Sequence, residues 1–242
     1  VFDRPTSEAF YGLVLPAVGL ESPSHGDEFT EWGDFSIAEA TAQQPVTRRL
    51  HVAFAASSEE EVDEFWRLGT EARYRDAGEP GPRPQYGESY YGGFLFDPDG
   101  TSVEAVHDEP GRRRGSIDHL WIRVSDMSGA RSFYELVGSF AGFAASGTHQ
   151  DPPRIRFAAD DDSGSGSFSI VADGAATRYA HFAFPVEDDA TVDAFHRALT
   201  SARHADRGAP GERPLYHAGY YAAYVLDPDG NVVELVNHNR GS

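Results

Sequence analysis

Two residue types with distinctive chemistry are missing from this 242-residue chain, namely cysteine and lysine. Without cysteine there is no disulfide, no thiol nucleophile and no thiolate ligand for a metal. Without lysine there is no Schiff-base chemistry and no lysine of a phosphate-binding loop. All 20 basic residues are arginines. Any metal must therefore be held by nitrogen and oxygen ligands.

Positive charge is scarce as well, and the formal net charge is −19. Nucleic-acid binding draws its affinity from clustered cations, so we expect no nucleic-acid partner. The chain has no apolar run of about 18 residues that would span a membrane, and no charged-then-apolar leader precedes the first motif. We therefore expect a cytoplasmic protein without a membrane partner. The 16 phenylalanines, 11 tyrosines and 3 tryptophans are sufficient for an apolar core.

The most informative feature that is present is an internal repeat. The segment beginning at His51 aligns without a gap with the segment beginning at His181 over 57 residues, of which 26 are identical. Each copy keeps a histidine and a glutamate 53 residues apart, His51 with Glu104 and His181 with Glu234. Packing explains retained apolar and turn residues, whereas a polar pair retained in strand-like contexts points to a divalent metal.

The repeat extends beyond these two copies, because VFDRPTSEAFYGLVL at Val1 is similar to VSDMSGARSFYELVG at Val124. A linker rich in proline, glycine and arginine (EPGRRRGS) marks a boundary between domains. We therefore predict two domains, 1–110 and 116–242. Each contains two short modules, near 1–47, 48–110, 116–175 and 178–240.

The clearest modules have the pattern of a strand, a helix and further strands. After the short apolar strand at His181, apolar residues recur at helical spacing in DDATVDAFHRALTSAR. The segments GYYAAYVL and NVVELV flank DPDG, which predicts two strands joined by a tight turn. Because Val1 aligns with Val124, the counterpart of His119 falls before Val1. We expect the first module to be incomplete.

Alternate side chains of a strand face opposite sides, and this parity divides the strand HLWIRV. His119, Trp121 and Arg123 share one face, and apolar residues occupy the other. We predict that Trp121 and Arg123 line a substrate pocket, in which Arg123 binds an anionic group. The alternative for Arg123 is an ion pair with a nearby acid.

Four βαβββ modules in two tandem pairs, with DPDGxxxE hairpins, resemble the vicinal oxygen chelate superfamily. This group includes glyoxalases, bleomycin-resistance proteins, fosfomycin-resistance thiol transferases and extradiol dioxygenases. The resemblance implies an α+β fold in which the modules pair into two tandem glyoxalase-like domains with curled mixed sheets. In the family, two modules surround one metal, with ligands from the first strand of each module and the last strand of one.

Carried over to this chain, the resemblance implies a metal at His119, His181 and Glu234 in the C-terminal domain. A weaker second site, His51 with Glu104, would lie in a degenerate N-terminal domain that lacks its third ligand. Two imidazoles and a carboxylate favour Fe(II) or Mn(II), with Zn or Ni as alternatives, and leave positions open for substrate and for O₂ or water. The fourth ligand of glyoxalase I would fall near Ser169, where no carboxylate or amide exists.

The stretch HAGYYAAYVLDPDGNVVE further resembles the signature of extradiol dioxygenases. Tyr224 stands ten residues before Glu234, and His217 stands seven residues before Tyr224. The resemblance implies that Tyr224 holds a substrate oxygen and that His217 moves a proton. The first copy has Phe94 and Gly87 at these two positions.

These observations predict a metal-dependent enzyme that acts on a small molecule with adjacent oxygens, most like an extradiol ring-cleavage dioxygenase. Ser167 occupies the position of a further histidine of the dioxygenases, and this departure keeps two alternatives open. One is a metal-free drug-binding or ligand-binding protein of the bleomycin-resistance type. The other is a metal-dependent glyoxalase or isomerase, or a thiol transferase. The tandem arrangement is compatible with a monomer or a homodimer.

Overall fold

The computed structural model describes residues 1–109, 115–159 and 166–239. The described residues form two compact units. The first comprises 1–122 together with 166–169, and the second comprises 123–159 together with 170–239. The domain boundary between residues 110 and 116 stays a prediction, because the compact units divide within the strand that carries His119.

The first unit begins with a helix whose start is set by local sequence. The Asp3 carboxylate accepts a hydrogen bond from the backbone N–H of Thr6 at 2.9 Å, and Pro5 lies in the first helical turn. The unit contains the helices α1 (Arg4–Val14) and α2 (Glu59–Glu71) and a 3-10 turn (Leu15–Val18). Its strands are β1 (Ser24–His25), β2 (Phe29–Trp32), β3 (Phe35–Ala38), β4 (Leu50–Ala55), β5 (Asp76–Pro82), β6 (Tyr91–Phe96), β7 (Ser102–His107), β8 (Ile117–Arg123) up to Ile122, and the first residues of β11 (Ser167–Val171).

Strand β4 is central to the larger sheet of the first unit, whose order is β5-β6-β7-β4-β8-β11. It runs parallel to β7 and antiparallel to β8. In these registers Ala53 pairs with both Glu104 and His119, and His51 pairs with Trp121. The sheet therefore brings three strands with polar side chains next to one another.

Aromatic side chains form much of the core of the first unit. Phe10, Phe54 and Phe65 are fully buried, and Trp32 is almost so. Burial of each such side chain contributes about 1.5–3 kcal/mol or more to folding. The phenol of the buried Tyr11 donates a hydrogen bond to Asp97 at 2.8 Å, which satisfies its polar end.

The second unit repeats the βαβββ pattern. It contains the helices α3 (Met127–Ala141) and α4 (Asp189–Ser201). Its further strands are β9 (Phe143–Gln150), β10 (Pro153–Ala159), β12 (His181–Pro185), β13 (Asp206–Glu212), β14 (Tyr221–Leu226) and β15 (Val232–Asn237). Strands β12-β15-β14-β13 form one sheet, in which β12 is parallel to β15 and the other pairs are antiparallel. This order reproduces β4-β7-β6-β5 of the first unit.

The predicted DPDG turns join β6 to β7 and β14 to β15. In the first turn, Oδ1 of Asp97 accepts hydrogen bonds from the backbone N–H groups of Asp99 and Thr101. Gly100 has φ +87°, a conformation that glycine adopts without strain. The predicted α+β class and the strand pairing across this turn are thus confirmed. Within the part of the chain that the structure describes, the helices are too short or too polar to span a lipid bilayer.

Candidate metal centre

Three potential ligands converge in the first unit: His51 of β4, Glu104 of β7 and His119 of β8. One ligand atom from each lies within 4.8 Å of the other two. Nε2 of His51 is 3.0 Å from Oε2 of Glu104, and Nε2 of His119 is 3.6 Å from the same oxygen. Within 1–109, 115–159 and 166–239, no other group of three histidine or acidic side chains meets this criterion.

Each of the two imidazoles is oriented through its other nitrogen. Nδ1 of His51 lies 2.9 Å from the hydroxyl of Ser102, and Nδ1 of His119 lies 2.8 Å from a carboxylate oxygen of Asp118. A carboxylate only accepts hydrogen bonds, so Nδ1 of His119 donates to Asp118 and Nε2 is the nitrogen that faces the centre. Such outer hydrogen bonds to imidazole are typical of metal-binding histidines.

The carboxylate of Glu104 is buried, with 1% of the residue exposed. The phenol of Tyr90 donates a hydrogen bond to its Oε1 at 2.7 Å, which leaves Oε2 to face the histidines. Burial and the adjacent Glu104 charge raise the pKa of Tyr90 well above its ordinary value, so the phenol stays a donor. Gly92 leaves room for this carboxylate, because a Cβ there would lie 2.5 Å from Oε1.

Aromatic rings surround the three ligands. The ring centroid of Trp121 lies 5.6 Å from that of His51 and 6.4 Å from that of His119. Tyr86 packs edge-on against Trp121 at 5.8 Å, and the Phe94 ring lies 6.2 Å from that of His51. Trp121 is thus adjacent to the ligands, as a pocket-lining residue would be.

The donor set of the first unit fits a divalent cation. Two imidazole nitrogens and one carboxylate oxygen are suitable ligands for first-row divalent metals. A buried carboxylate is costly unless a positive charge compensates it, and a bound cation would do so at Glu104. Ligand bonds of about 2.0–2.2 Å place neighbouring ligand atoms about 3–3.5 Å apart. The observed separations of 3.0 and 3.6 Å are close to this.

The copy of this pair in the second unit has similar internal geometry. Nε2 of His181 lies 2.7 Å from Oε2 of Glu234, and the phenol of Tyr220 donates to Oε1 at 2.7 Å. The side chain of His181 is 42% exposed, compared with 9% for His51. The second unit therefore holds a more open histidine–glutamate pair.

The two residues predicted to be catalytic also lie in the second unit. The Tyr224 ring centroid is 5.9 Å from that of His181, and the Arg213 guanidinium lies 5.2 Å above the Tyr224 ring. Burial, followed by the charge of Glu234, raises the pKa of Tyr224 above its ordinary value. His217 pairs with another histidine, since its Nε2 lies 3.3 Å from Nδ1 of His238.

A model of the Glyoxalase/Bleomycin resistance protein/Dioxygenase superfamily matches residues 116–235. The chain belongs to the vicinal oxygen chelate superfamily. The glyoxalase I of Zea mays has a similar structure, with a TM-score of 0.67 and 19% sequence identity, over 98% of this chain and 89% of that one. A dioxygenase-like protein of Bacillus subtilis has a TM-score of 0.66 and 13% identity, over 99% and 83% of the two chains. A search of curated proteins gives no match.

At these identities the two superfamily structures bear on the fold alone. They confirm the predicted tandem, glyoxalase-like arrangement of modules. Members of the superfamily bind divalent metals, and the first unit of this member contains a histidine–glutamate–histidine set suited to one.

The structure groups the predicted ligands of this superfamily member in an unexpected way. His119 lies in the first unit, where it supplies the third potential ligand that the pair of His51 and Glu104 was expected to lack. The set of His119, His181 and Glu234 stays a prediction. Arg123 adopts the ion-pair alternative, since its Nε lies 2.8 Å from Oδ1 of Asp173 in the second unit.

Sequence reasoning missed the residues that orient the ligands, namely Ser102, Asp118 and Tyr90. Two signals for them were present. An acidic residue directly precedes His119, and a tyrosine stands fourteen residues before the glutamate in both copies. Neither signal is specific. An acidic residue or a tyrosine at these spacings indicates an orienting partner only when its side chain is known to point at the ligand.

Proposed function

We propose that this chain is a metal-dependent vicinal oxygen chelate enzyme whose divalent metal is held by His51, Glu104 and His119. Its substrate would be a small molecule that binds the metal through two adjacent oxygens. The observation that supports this most is the convergence of three ligand atoms whose side chains are each oriented by a further hydrogen bond.

A bound metal would supply Lewis acidity, which lowers the pKa of a coordinated hydroxyl group. Three protein ligands leave coordination positions for both substrate oxygens. Trp121 and Tyr86 would cover one side of the substrate and exclude water, which strengthens electrostatic interactions inside the site. Tyr90 would keep the Glu104 carboxylate in one orientation during the reaction.

Fe(II) and Mn(II) are the metals that we propose for this site, with Zn or Ni as alternatives. Two imidazoles and one carboxylate with open positions are the ligand set of many non-haem Fe(II) oxygenases. This ligand set also favours ring cleavage by O₂ over the four-ligand glyoxalase reaction, because Ser169 offers no carboxylate or amide. Extradiol ring cleavage is therefore the specific reaction that we propose.

The dioxygenase signature makes a second arrangement of the site worth testing. Tyr224 and His217 belong to the second unit, whereas the first unit has Phe94 and Gly87 at the equivalent positions. If these two residues are catalytic, the metal would be expected at His181 and Glu234 in place of the first-unit pair. His119 belongs to both proposed ligand sets, so a variant of His119 cannot distinguish them.

Metal analysis of matched variants separates the two sets. The purified wild-type chain is loaded with Fe(II) or Mn(II) without oxygen, and one equivalent of bound metal is expected. His51→Ala should lose this equivalent and His181→Ala should keep it. The opposite result would assign the metal to His181 and Glu234. A wild-type chain that binds neither Fe(II), Mn(II) nor Zn would contradict a metal enzyme and favour a metal-free binding protein.

The reaction is tested on the Fe(II)-loaded chain. Catechol and air should yield a yellow ring-fission product, and this product should be absent with His51→Ala. A metal-loaded chain that gives no product contradicts ring cleavage. It would direct the search to isomerisation or thiol transfer at the same metal.

A further inference from the structure

Two histidines lie side by side at one end of the sheet in the second unit. His217 is in the loop between β13 and β14, and His238 directly follows β15. Nε2 of His217 lies 3.3 Å from Nδ1 of His238, and the two ring planes differ by 18°. Both residues are partly exposed, so a solute can reach them.

The first unit shows that the fold does not require this pair. Its equivalent positions are Gly87 and Asp108, and a Cβ on Gly87 would lie 3.6 Å from Oδ1 of Asp108. The two positions are therefore neighbours in both units. Only the second unit places imidazoles there, which points to a property specific to that unit.

His217 is held in the tautomer that a metal ligand needs. Its Nδ1 lies 3.0 Å from the carbonyl oxygen of Ala218. A carbonyl oxygen only accepts hydrogen bonds, so Nδ1 of His217 carries a proton and its Nε2 accepts a hydrogen bond from Nδ1–H of His238. A bound cation would displace this shared proton, as metal binding to imidazole generally releases protons. Donation of the other ring N–H to a backbone carbonyl is typical of metal-bound imidazoles.

The surroundings hold both rings in place. The Tyr220 ring packs edge-on against His217 and His238, with centroid distances of 5.2 Å in each case. The side-chain amide of Asn239 donates to the carbonyl of Gly219 at 2.9 Å, which ties the segment after β15 to the loop before β14. The pair is thus organised before any ligand arrives.

We propose that His217 and His238 form a second metal site, which takes Cu(II), Ni(II) or Zn(II). Two nitrogens bound at about 2.0–2.1 Å in a tetrahedral site lie about 3.3 Å apart. The pair has this separation. A donor set of imidazoles alone favours these cations over Mn(II) and Mg(II), which prefer oxygen ligands. Among the described side chains, no histidine or acid adds a third ligand atom within 4.8 Å, so water or a solute would complete the coordination.

The site is tested in a full-length chain that carries His51→Ala and Glu104→Ala, so that the outcome does not depend on the proposed enzyme site. Calorimetric titration with Ni(II) should show one equivalent. Adding His217→Gly, which introduces the residue of the first unit, should weaken binding at least tenfold, and so should His238→Ala. His196→Ala is the matched control, because Nε2 of His196 pairs with Asp206 at 3.0 Å. It should leave the affinity unchanged.

A second measurement identifies the ligands directly. The Cu(II)-loaded background variant should show electron paramagnetic resonance couplings to two nitrogens, and these couplings should disappear with His217→Gly. Absence of Ni(II) binding in the background variant would overturn the proposal. So would binding that survives both His217→Gly and His238→Ala, or binding that is lost with His181→Ala alone. Circular dichroism of each variant would show that the second unit remains folded.

Discussion

The histidine–glutamate pair of the first unit and its copy in the second unit have the same internal geometry. The distance from Nε2 to Oε2 is 3.0 Å in the first and 2.7 Å in the second. In each, a tyrosine hydroxyl lies 2.7 Å from the other carboxylate oxygen. Parallel pairing of the first and last strands of the module sets this geometry in both units.

The two pairs differ in the partners around them. Ser102 pairs with His51 in the strand register and contacts its Nδ1, whereas Val232 occupies the equivalent position next to His181. In the first unit β8 adds His119 on the other side of β4. One βαβββ module is therefore sufficient for the pair, whereas a three-ligand centre needs a strand from outside the module.

The largest difference between the two units is expected in the Mn(II) affinity after each glutamate is replaced. Glu104→Gln replaces the anionic member of the proposed ligand set and should lower the affinity for Mn(II) by more than about 100-fold, since even outer-partner changes cost about 10–100-fold. Glu234→Gln, the matched change in the second unit, should leave that affinity unchanged. Calorimetric titration of both variants measures this, and equal losses would contradict an unequal role of the two units.

The next largest effect is expected at Asp118, whose carboxylate orients His119, whereas a neutral hydroxyl, that of Ser102, orients His51. Asp118→Asn keeps the size of the side chain but allows the wrong imidazole tautomer. Mn(II) affinity should fall by about 10–100-fold, as is usual for loss of an outer carboxylate. Nitrogen NMR of the His119 ring should show a shift in tautomer without metal. Unchanged tautomer and affinity would assign Asp118 a purely structural role.

The buried phenols that support the two DPDG turns should be equivalent. Tyr11 donates to Asp97 at 2.8 Å and Tyr134 donates to Asp227 at 2.9 Å. Tyr11→Phe and Tyr134→Phe should each lower the free energy of unfolding by about 1–3 kcal/mol, because a buried carboxylate loses a hydrogen bond. Urea denaturation measures both. A large difference between the variants would show that the two turns are not supported alike.

The smallest expected effect on Mn(II) affinity comes from filling the space beside the glutamate carboxylate of each unit. Gly92 of the first unit corresponds to Ala222 of the second. Gly92→Ala places a Cβ about 2.5 Å from Oε1 of Glu104 and should displace the carboxylate from its present position. We expect Mn(II) affinity to fall by about fivefold, which corresponds to about 1 kcal/mol. Ala222→Gly is the control, and a similar loss in both variants would exclude a specific role for this space.

Much of the fold was predictable because it depends on local patterns. The DPDG turns, the helix after His181 and the alternation along HLWIRV each follow from spacing within one module. The alternation correctly placed Trp121 on the face that carries His119, and the rings of these two residues lie 6.4 Å apart. The pairing of His51 with Glu104 was predictable for the same reason, since both lie in one module.

The modules, the residue types available for a metal and the histidine–glutamate pair within each copy all follow from the order of residues along the chain. The pairing of β8 with β4, and hence the approach of His119 to His51 and Glu104, follows from the fold. Alternation shows which face of a strand a side chain occupies, but it carries no information about the neighbouring strand. Strand order between modules depends on long-range packing, so a ligand set built from two modules could be identified only in the folded chain.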